Sequence, residues 1–158
     1  GLGDVYKRQV QKVLGSRTVI TLENYLLKDS RTNMSRVVPE GTDGAKKAVL
    51  EYQVLGVEAG EELALLRVKL HTGRHHQIRV QLSEAGMPIL NDTKYGVTPD
   101  EENIKDTLRA GRDEALALCS YRLVFSHPVT RKKLTFEVVP KGKSFALFSE
   151  DLCKRDNI

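Results

Sequence analysis

The 158-residue chain has few of the residues that mark disulfide-rich, metal-binding or membrane-spanning proteins. It has no tryptophan and only two cysteines, Cys119 and Cys153, which do not form a CxxC pair. Two of its four histidines, His75 and His76, are adjacent, and the set has no spacing typical of a zinc site. No apolar run approaches the ~20 residues that a transmembrane helix needs. We therefore expect a reduced, cytoplasmic protein that binds no metal.

The rest of the composition indicates a packed unit with a mildly basic surface. Hydrophobic residues make up 40% of the 158 positions, which supports a core and argues against global disorder. This length suffices for one domain or for a large part of one. The 25 lysines and arginines outnumber the 21 acidic residues, which gives a net charge of +4 and a pI near 9.1. That balance is compatible with RNA binding, although many soluble proteins of other function share it.

Alternation of apolar and polar residues predicts mostly strands, at 18–27, 48–55, 66–70, 117–125 and 134–138. Loops are predicted at 28–44 and 87–96, and a surface insertion at 97–113 with one or two helical turns at 103–110. A short helix capped by Ser144 is expected to run to Phe148, and the polar tail from Glu150 is expected to fray. Several antiparallel strands with one well-marked helix indicate the α+β class.

That one helix is predicted at residues 76–85. Its core stripe consists of apolar side chains at i, i+4 and i+7, namely Ile78, Leu82 and Ala85. Gly86 supplies the stop signal. Arg79 follows Ile78 by about 100° around the helix, because one residue is about 1/3.6 of a turn. Arg79 is therefore expected to leave the core stripe and face a cleft.

The most informative segment is a basic turn, residues 71–82, with the sequence His71-Thr72-Gly73-Arg74-His75-His76-Gln77-Ile78-Arg79-Val80-Gln81-Leu82. It gathers two arginines and three histidines around one glycine at a predicted strand–turn–helix junction. Planar cations and imidazoles in such a place suit phosphate, a nucleobase or a carboxylate. An isolated basic turn is more often only a solvated turn, so a functional interpretation requires other motifs in the same chain.

Two later segments accompany the basic turn, Gly86-Met87-Pro88-Ile89-Leu90-Asn91-Asp92-Thr93-Lys94-Tyr95-Gly96 and Leu123-Val124-Phe125-Ser126-His127-Pro128-Val129-Thr130. Together the three resemble the motifs TGRxHQIR, GxPIxxDxxYG and LxFxHPxT of the RluA-type pseudouridine synthases, over about residues 45–148. The resemblance implies a mixed, mostly antiparallel sheet with a helix across it and a cleft for RNA. It also implies isomerisation of uridine to pseudouridine in ribosomal or transfer RNA, with no metal and no cofactor.

The resemblance also implies roles for particular residues. Arg79 is the last residue of the H-Q-I-R motif and is expected to pair with a nucleophilic aspartate and orient it. The residues expected to bind RNA are Lys69, Arg74, His76, Gln77 and Lys94. For His76 and Gln77, hydrogen bonds that hold the turn are favoured over catalysis, and His75 receives no role. Arg74 has two open readings, a contact with phosphate or the catalytic loop, or a helix-entry salt bridge.

Three further positions are expected to shape loops. Gly73 is expected to have a positive φ or to allow a close approach of RNA. Asn91 stands where the family usually has glycine, and asparagine tolerates a left-handed backbone. Asp92 is expected to stabilise its loop rather than to react. The basic run Arg131-Lys132-Lys133 is interpreted as a solvated surface more readily than as an RNA contact.

Two family patterns are not found in this sequence. These are the G-R-x-D-x-x-[ST]-[ST]-G loop with the nucleophilic aspartate and the K-x-Y motif that places a tyrosine beside the base. The aspartates upstream of the basic turn, Asp4, Asp29 and Asp43, lack that context. The start Asp4-Val5-Tyr6-Lys7-Arg8-Gln9 looks like a translated sequencing adapter. We therefore expect an artefactual leader at 1–9, the C-terminal part of the catalytic domain at 10–150 and a polar tail at 151–158.

Three readings remain open on these grounds. The first is a pseudouridine synthase whose catalytic domain is incomplete here, so that this chain alone is inactive. The second is a non-catalytic RNA-binding module derived from the same family. The third is a structural fragment with no independent function.

Overall fold

The structure, a computed structural model, describes residues 18–58, 63–96 and 115–153. The expected leader at 1–9, the helical turns at 103–110 and the last five residues of the tail lie outside these ranges. Six strands are described, namely β1 (Ile20–Asp29), β2 (Met34–Val38), β3 (Lys46–Glu58), β4 (Leu63–Leu70), β5 (Arg122–Ser126) and β6 (Lys133–Glu137). Three helices are described with them, namely α1 (Gln77–Glu84), α2 (Lys143–Ala146) and α3 (Ser149–Cys153). The α+β class is confirmed.

The first four strands form one antiparallel sheet in the order β2-β1-β3-β4. β3 and β4 pair antiparallel, and Ala48, Leu50 and Tyr52 of β3 are buried on one face, as their alternation predicts. This face is the one that α1 covers. The sheet therefore fixes where the basic turn leaves β4 and enters α1.

The prediction of a loop at 28–44 is wrong in its middle, where β2 pairs with residues 25–29 of β1. β2 has a weak strand signal, because only Val37 and Val38 are strong β-formers in its five residues. β2 lies at the edge of the sheet, and its partner β1 supplies the hydrogen bonds. Ser35 of β2 is 6% exposed, so this edge brings a buried polar side chain toward the basic turn.

Helix α1 confirms the predicted helix, but its buried stripe differs from the predicted one. Val80 packs on Leu26 and Ala48, and Leu82 packs on Leu50 and Tyr52, whereas Ala85 is exposed. Two glutamines, Gln77 and Gln81, take the remaining buried positions. The Gln81 amide donates to the carbonyl oxygens of Leu22 and Ala48 and to Asn24 Oδ1, which satisfies its buried nitrogen. Gly86, at φ 77°, ends the helix as predicted.

The opposite face of the sheet is covered by the C-terminal helices. Leu55 alternates to this side of β3 and packs there with Leu65, Phe148 and Leu152. The register of β3 against β4 shifts directly around it, at a bulge between Val54 and Gly56. The sequence predicts fraying from Glu150, but α3 continues to Cys153 and buries Leu152 to 8% exposure. Ser144 lies within α2 rather than at its N-cap, which is Gly142.

The last two strands, β5 and β6, form a separate antiparallel hairpin. The strand predicted at 117–125 is shorter than expected and begins at Arg122. The hairpin stacks Phe125 on Phe136 with ring centroids 6.0 Å apart. Leu123, Val124 and Phe136 remain exposed, so both faces of the hairpin present apolar side chains to solvent.

Candidate active site around Arg79

The basic turn is held on β3 by the amide of Gln77. Gln77 Oε1 accepts from Thr72 Oγ1 at 2.8 Å and from the backbone N–H of Arg74 at 2.9 Å. Gln77 Nε2 donates to the carbonyl oxygen of Val49 at 3.1 Å, and the residue is 3% exposed. These contacts agree with the structural support favoured for Gln77 from the sequence, since its amide faces the protein.

A polar network joins the start of α1 to the edge strand β2. Tyr95 Oη accepts from the backbone N–H of Ser35 at 2.8 Å and lies 2.9 Å from His76 Nδ1. Because the Ser35 N–H is a donor only, the phenol hydrogen is free to go to His76 Nδ1, which leaves the hydrogen of a neutral imidazole on Nε2. His75 Nδ1 lies 2.9 Å from Ser35 Oγ, and its Nε2 lies 3.0 Å from Asn33 Oδ1.

The two adjacent histidines are held in their neutral forms. Their ring centroids are 3.8 Å apart. Burial lowers the pKa of His76, and repulsion from His75, Arg79 and Lys94 lowers it further. Burial and neighbouring cations lower the pKa of His75 in the same way. The imidazoles therefore act here as hydrogen-bonding groups, because their protonated forms are disfavoured.

Arg79 forms a two-pronged ion pair with Asp92. Arg79 Nε donates to Asp92 Oδ2 at 2.8 Å, and Arg79 Nη2 donates to Asp92 Oδ1 at 2.7 Å. The Asp92 side chain is 0% exposed and that of Arg79 is 17% exposed. Asp92 Oδ1 also accepts from the backbone N–H groups of Lys94 and Tyr95. The sequence predicts that Arg79 leaves the core stripe and that Asp92 shapes its loop, but it does not predict that the two side chains pair.

Both members of the pair, Arg79 and Asp92, are held in their charged forms. Burial by itself raises the pKa of Asp92, but the hydrogen bonds from Arg79, Lys94 and Tyr95 outweigh burial and hold that pKa below 3.8. The bond to Asp92 likewise raises the pKa of Arg79. The face of the Tyr95 ring lies 5.0 Å from the guanidinium carbon of Arg79, within the range of a cation–π contact. Arg79 is thus fixed on two sides.

The loop that carries Asp92 depends on two backbone features. Asn91 has φ 63°, so the asparagine does adopt the left-handed conformation that the sequence suggests it tolerates. A Cβ on Gly96 would lie closer than 3.0 Å to the carbonyl oxygen of Asp92, so only glycine fits there without a shift. Gly73, in contrast, does not have a positive φ, and a Cβ there would meet nothing within 4 Å. The expectation of positive φ at Gly73 is therefore wrong, and open space surrounds it.

One edge of Arg79 is left for another group. Arg79 Nη1 has no hydrogen-bond partner within residues 18–58, 63–96 and 115–153, and Asp92 is the one carboxylate in those ranges that pairs with the guanidinium. Asp29 instead accepts from the backbone N–H of Arg31, and Asp43 is exposed in a turn. The arrangement can therefore bind a second anion through the remaining N–H groups of Arg79.

The other basic candidates are placed unequally. Arg74 Nε donates to the carbonyl oxygen of Lys47 at 2.8 Å, and Lys94 Nζ donates to that of Asn33 at 3.2 Å, both beside the start of α1. The structure does not bring Lys69 to the same place. Lys69 pairs with Glu51 at 3.5 Å, on the face of the sheet opposite to α1.

Sequence reasoning missed three contributors to this site. Asn33 and Ser35 lie within the predicted loop at 28–44, and no hydrogen-bonding role is predicted for Tyr95. The signal that could have found Tyr95 is its spacing of three residues from Asp92 in one motif. No comparable signal exists for Asn33 and Ser35, because only the pairing of β1 with β2 brings them to the basic turn.

Within residues 18–58, 63–96 and 115–153, no helix is long and apolar enough to cross a membrane. The same ranges contain no group of three or more histidine, cysteine or acidic side chains that could hold a metal ion.

Comparison with known proteins gives a consistent family. The chain matches the family described as RNA pseudouridylate synthase over residues 5–84. It is 39% identical over 93 residues to an uncharacterized RNA pseudouridine synthase of Aquifex aeolicus, covering 59% of this chain and 29% of that protein. It is 35% identical over 112 residues to ribosomal large subunit pseudouridine synthase D of Vibrio parahaemolyticus, covering 68% of this chain and 32% of that one.

A solved structure agrees on the fold. Human RNA pseudouridylate synthase domain containing 1 superposes with a TM-score of 0.59 at 24% identity, over 82% of this chain and 51% of that chain. The chain spans about a third of the length of the curated relatives it matches. Since the family match covers half of the sequence and includes β1 to β4 and α1, the chain belongs to the RNA pseudouridylate synthase family.

Proposed function

We propose that this chain provides the arginine part of an active site that isomerises uridine to pseudouridine in RNA. The observation that carries the proposal is the guanidinium of Arg79 in a chain of this family, fixed on the buried Asp92 and without a partner for Nη1 among the described residues. The name of the Vibrio relative makes large-subunit ribosomal RNA the first substrate to test, with transfer RNA as the second. We propose a cytoplasmic enzyme that uses neither a metal nor a nucleotide cofactor.

The reaction explains why a fixed arginine matters. Isomerisation breaks the N1–C1′ bond of uridine and forms a C5–C1′ bond, and it needs a carboxylate that stays ionised in a cleft. Burial raises the pKa of such a carboxylate, and a neighbouring guanidinium opposes that rise. The open edge of Arg79 suits this role.

We place the nucleophilic carboxylate outside the described residues. Asp92 is a poor nucleophile, since its side chain is 0% exposed and both oxygens accept hydrogen bonds. Asp29 is bound to the backbone of its own turn. The described part of this chain is therefore proposed to be inactive unless another segment supplies the carboxylate.

RNA is proposed to approach at the start of α1. Arg74 and Lys94 are each anchored by one hydrogen bond to a carbonyl and keep other N–H groups for phosphate. In the tautomer that accepts from Tyr95 at Nδ1, His76 offers Nε2–H as a further donor, and Gln77 contributes by holding the turn. Lys69, on the other face of the sheet, would reach a separate stretch of RNA. The target uridine must leave its stack to reach Arg79.

The test uses an unmodified transcript of large-subunit ribosomal RNA with two proteins, this chain and the full-length product of its gene. Binding is measured by fluorescence anisotropy, and pseudouridine by carbodiimide labelling and primer extension. We expect both proteins to bind and only the full-length product to form pseudouridine. Binding by both with no pseudouridine from either would favour the non-catalytic RNA-binding module. No binding by either protein, to ribosomal or transfer RNA, would overturn the proposal.

A further inference from the structure

We propose that Asp92 is a positioning residue, which determines the edge of Arg79 that faces the reacting carboxylate. This inference rests on the proposed function, because it concerns the same arginine. It assigns to Asp92 a task beyond stabilising its own loop. The reacting group is a second carboxylate, supplied from outside the described residues, that binds the guanidinium of Arg79.

The argument begins with the shape of a guanidinium. It offers two edges that can bind a carboxylate with two parallel hydrogen bonds, a side edge of Nε and Nη2 and an end edge of Nη1 and Nη2. Asp92 occupies the side edge of Arg79, with bonds of 2.8 Å from Nε and 2.7 Å from Nη2. The end edge is therefore the one that remains, and its direction is set by Asp92.

Asp92 is itself rigidly held. Its Oδ1 accepts from the backbone N–H groups of Lys94 at 2.9 Å and Tyr95 at 3.0 Å, and its backbone oxygen accepts from Gly96 at 2.9 Å. The loop is tied back to α1 by Ser83 Oγ, which donates to the Tyr95 carbonyl at 2.7 Å. Helix α1 and the Asp92 loop therefore fix the orientation of Arg79.

The charge of Asp92 also changes what Arg79 can do. A lone guanidinium that is 17% exposed would be a mobile cation with an unfavourable desolvation cost, whereas the pair with Asp92 is neutral overall. The end edge then acts mainly as a directed pair of donors. Such an edge can bind a planar carboxylate in one orientation through two parallel hydrogen bonds.

An Asp92→Asn substitution separates positioning from loop stabilisation. The asparagine oxygen can still accept from Lys94 and Tyr95, so the loop keeps its backbone bonds. Its amide nitrogen, however, would face Arg79 Nε as donor against donor and release the side edge. Ser83→Ala is the matched control, because it removes a loop anchor without touching Arg79.

The first measurement follows the side-chain nitrogen resonances of Arg79 by NMR in this chain, with sodium acetate as the carboxylate probe. We expect hindered rotation and distinct Nη signals in the wild type and in Ser83→Ala, and averaged signals in Asp92→Asn. Acetate is expected to shift the Nη1 signal in the wild type and in Ser83→Ala, where Asp92 holds the side edge, and not in Asp92→Asn. Unchanged Nη signals and an unchanged acetate shift in Asp92→Asn would overturn the proposal.

The second measurement is pseudouridine formation by the full-length gene product. We expect Asp92→Asn to lower kcat by ~100-fold, the size of effect that misplacement of a reacting group produces, while KM for RNA stays within about 2-fold. The acid limb of the kcat profile should move to higher pH, because the nucleophile loses its oriented guanidinium, and Ser83→Ala should not move it. An unchanged kcat and acid limb would contradict the positioning role. A wild-type protein that makes no pseudouridine but passes the NMR test would contradict the proposed function and leave the positioning intact.

Discussion

Arg79 shows how a charged side chain can sit on the helix that covers the sheet. Its neighbours on α1 are largely buried, and an unpaired guanidinium there would be costly. Asp92 and the Tyr95 ring remove that cost, because they pair with the charge on two sides. The same contacts leave Nη1 of Arg79 without a partner among the described residues. Stability and chemistry at this residue therefore depend on the same ion pair.

Arg79→Ala in the full-length gene product is expected to abolish pseudouridine formation, with a loss of ~1,000-fold or more, the upper range for removing one preorganised donor. RNA affinity should be largely spared, because Arg74 and Lys94 remain beside the start of α1. Pseudouridine yield and fluorescence anisotropy measure the two effects. Arg79→Lys is the matched variant, since it keeps the charge and loses the fork. Activity near the wild-type level in Arg79→Ala, in a protein with unchanged circular dichroism, would show that Arg79 does not serve the nucleophile.

Gly96→Ala is expected to destabilise the fold by about 1–3 kcal/mol, the usual cost of overpacking, because its Cβ would collide with the Asp92 carbonyl oxygen. Gly73→Ala is the control, since its Cβ would meet nothing within 4 Å and its φ is not positive. A change within about 0.5 kcal/mol is expected there. Urea unfolding of the two variants checks the difference. Equal effects of the two substitutions would mean that the Asp92 loop is not tightly closed.

At the scale of elements, the sequence predicts those whose signal is local. β3, β4 and α1 were predicted correctly because apolar alternation or helical periodicity runs through each of them. β2 could not be, since its strand character comes from pairing with β1 and its own residues are mostly polar or neutral. The buried glutamines of α1 were missed for a related reason. A polar residue is predicted to be exposed, because the sequence does not show the buried carbonyl groups to which its side chain donates hydrogen bonds.

Helix α3 offers a direct test of the C-terminal region, which the sequence predicts to fray. Leu152→Ala is expected to cost about 2–5 kcal/mol, as for other buried leucines, because Leu152 packs with Leu65 and Phe148. Leu147→Ala is the matched control, since Leu147 is 50% exposed and should change stability by about 0.5 kcal/mol or less. The measurement is the free energy of unfolding in urea. A Leu152→Ala protein as stable as wild type would show that α3 does not pack on the sheet.

At the scale of the whole molecule, the site is assembled from three separated segments. The bond from Ser35 to Tyr95 joins residues 60 apart, and that from Asn33 to His75 joins residues 42 apart. The motifs predicted two of these segments, the basic turn and the Asp92 loop, together with the importance of Arg79. They could not give the pairing of Arg79 with Asp92 or the contribution of β2, because both follow from how the chain folds. The geometry of the arginine edge is therefore a property of the whole fold.

The histidine pair His75 and His76 predicts a loss of stability on mild acidification. The folded-state pKa values of His75 and His76 lie below the ordinary histidine value of 6.5, so the unfolded chain takes up protons that the folded protein does not. Stability from this pair is complete above pH 6.5 and is lost as the pH falls from there toward the folded pKa values. The carboxylates with lowered pKa act in a different window, since the stabilisation by Asp92 and Glu51 is lost only below their ordinary pKa values of 3.8 and 4.5. Between pH 7.5 and 5.5 the decline therefore comes from the histidine pair.

Urea midpoints at pH 7.5 and 5.5 test this on three proteins. The wild type is expected to have the lower midpoint at pH 5.5. A double variant, His75→Gln with His76→Asn, should show a smaller change, and asparagine suits position 76 because His76 has φ 53°. His127→Asn is the control, since His127 lies in the β5–β6 turn, where its ring accepts from the backbone of Val129 and Thr130. If the double variant lost as much stability on acidification as the wild type, the network that links β2, α1 and the Asp92 loop would not be what responds to pH.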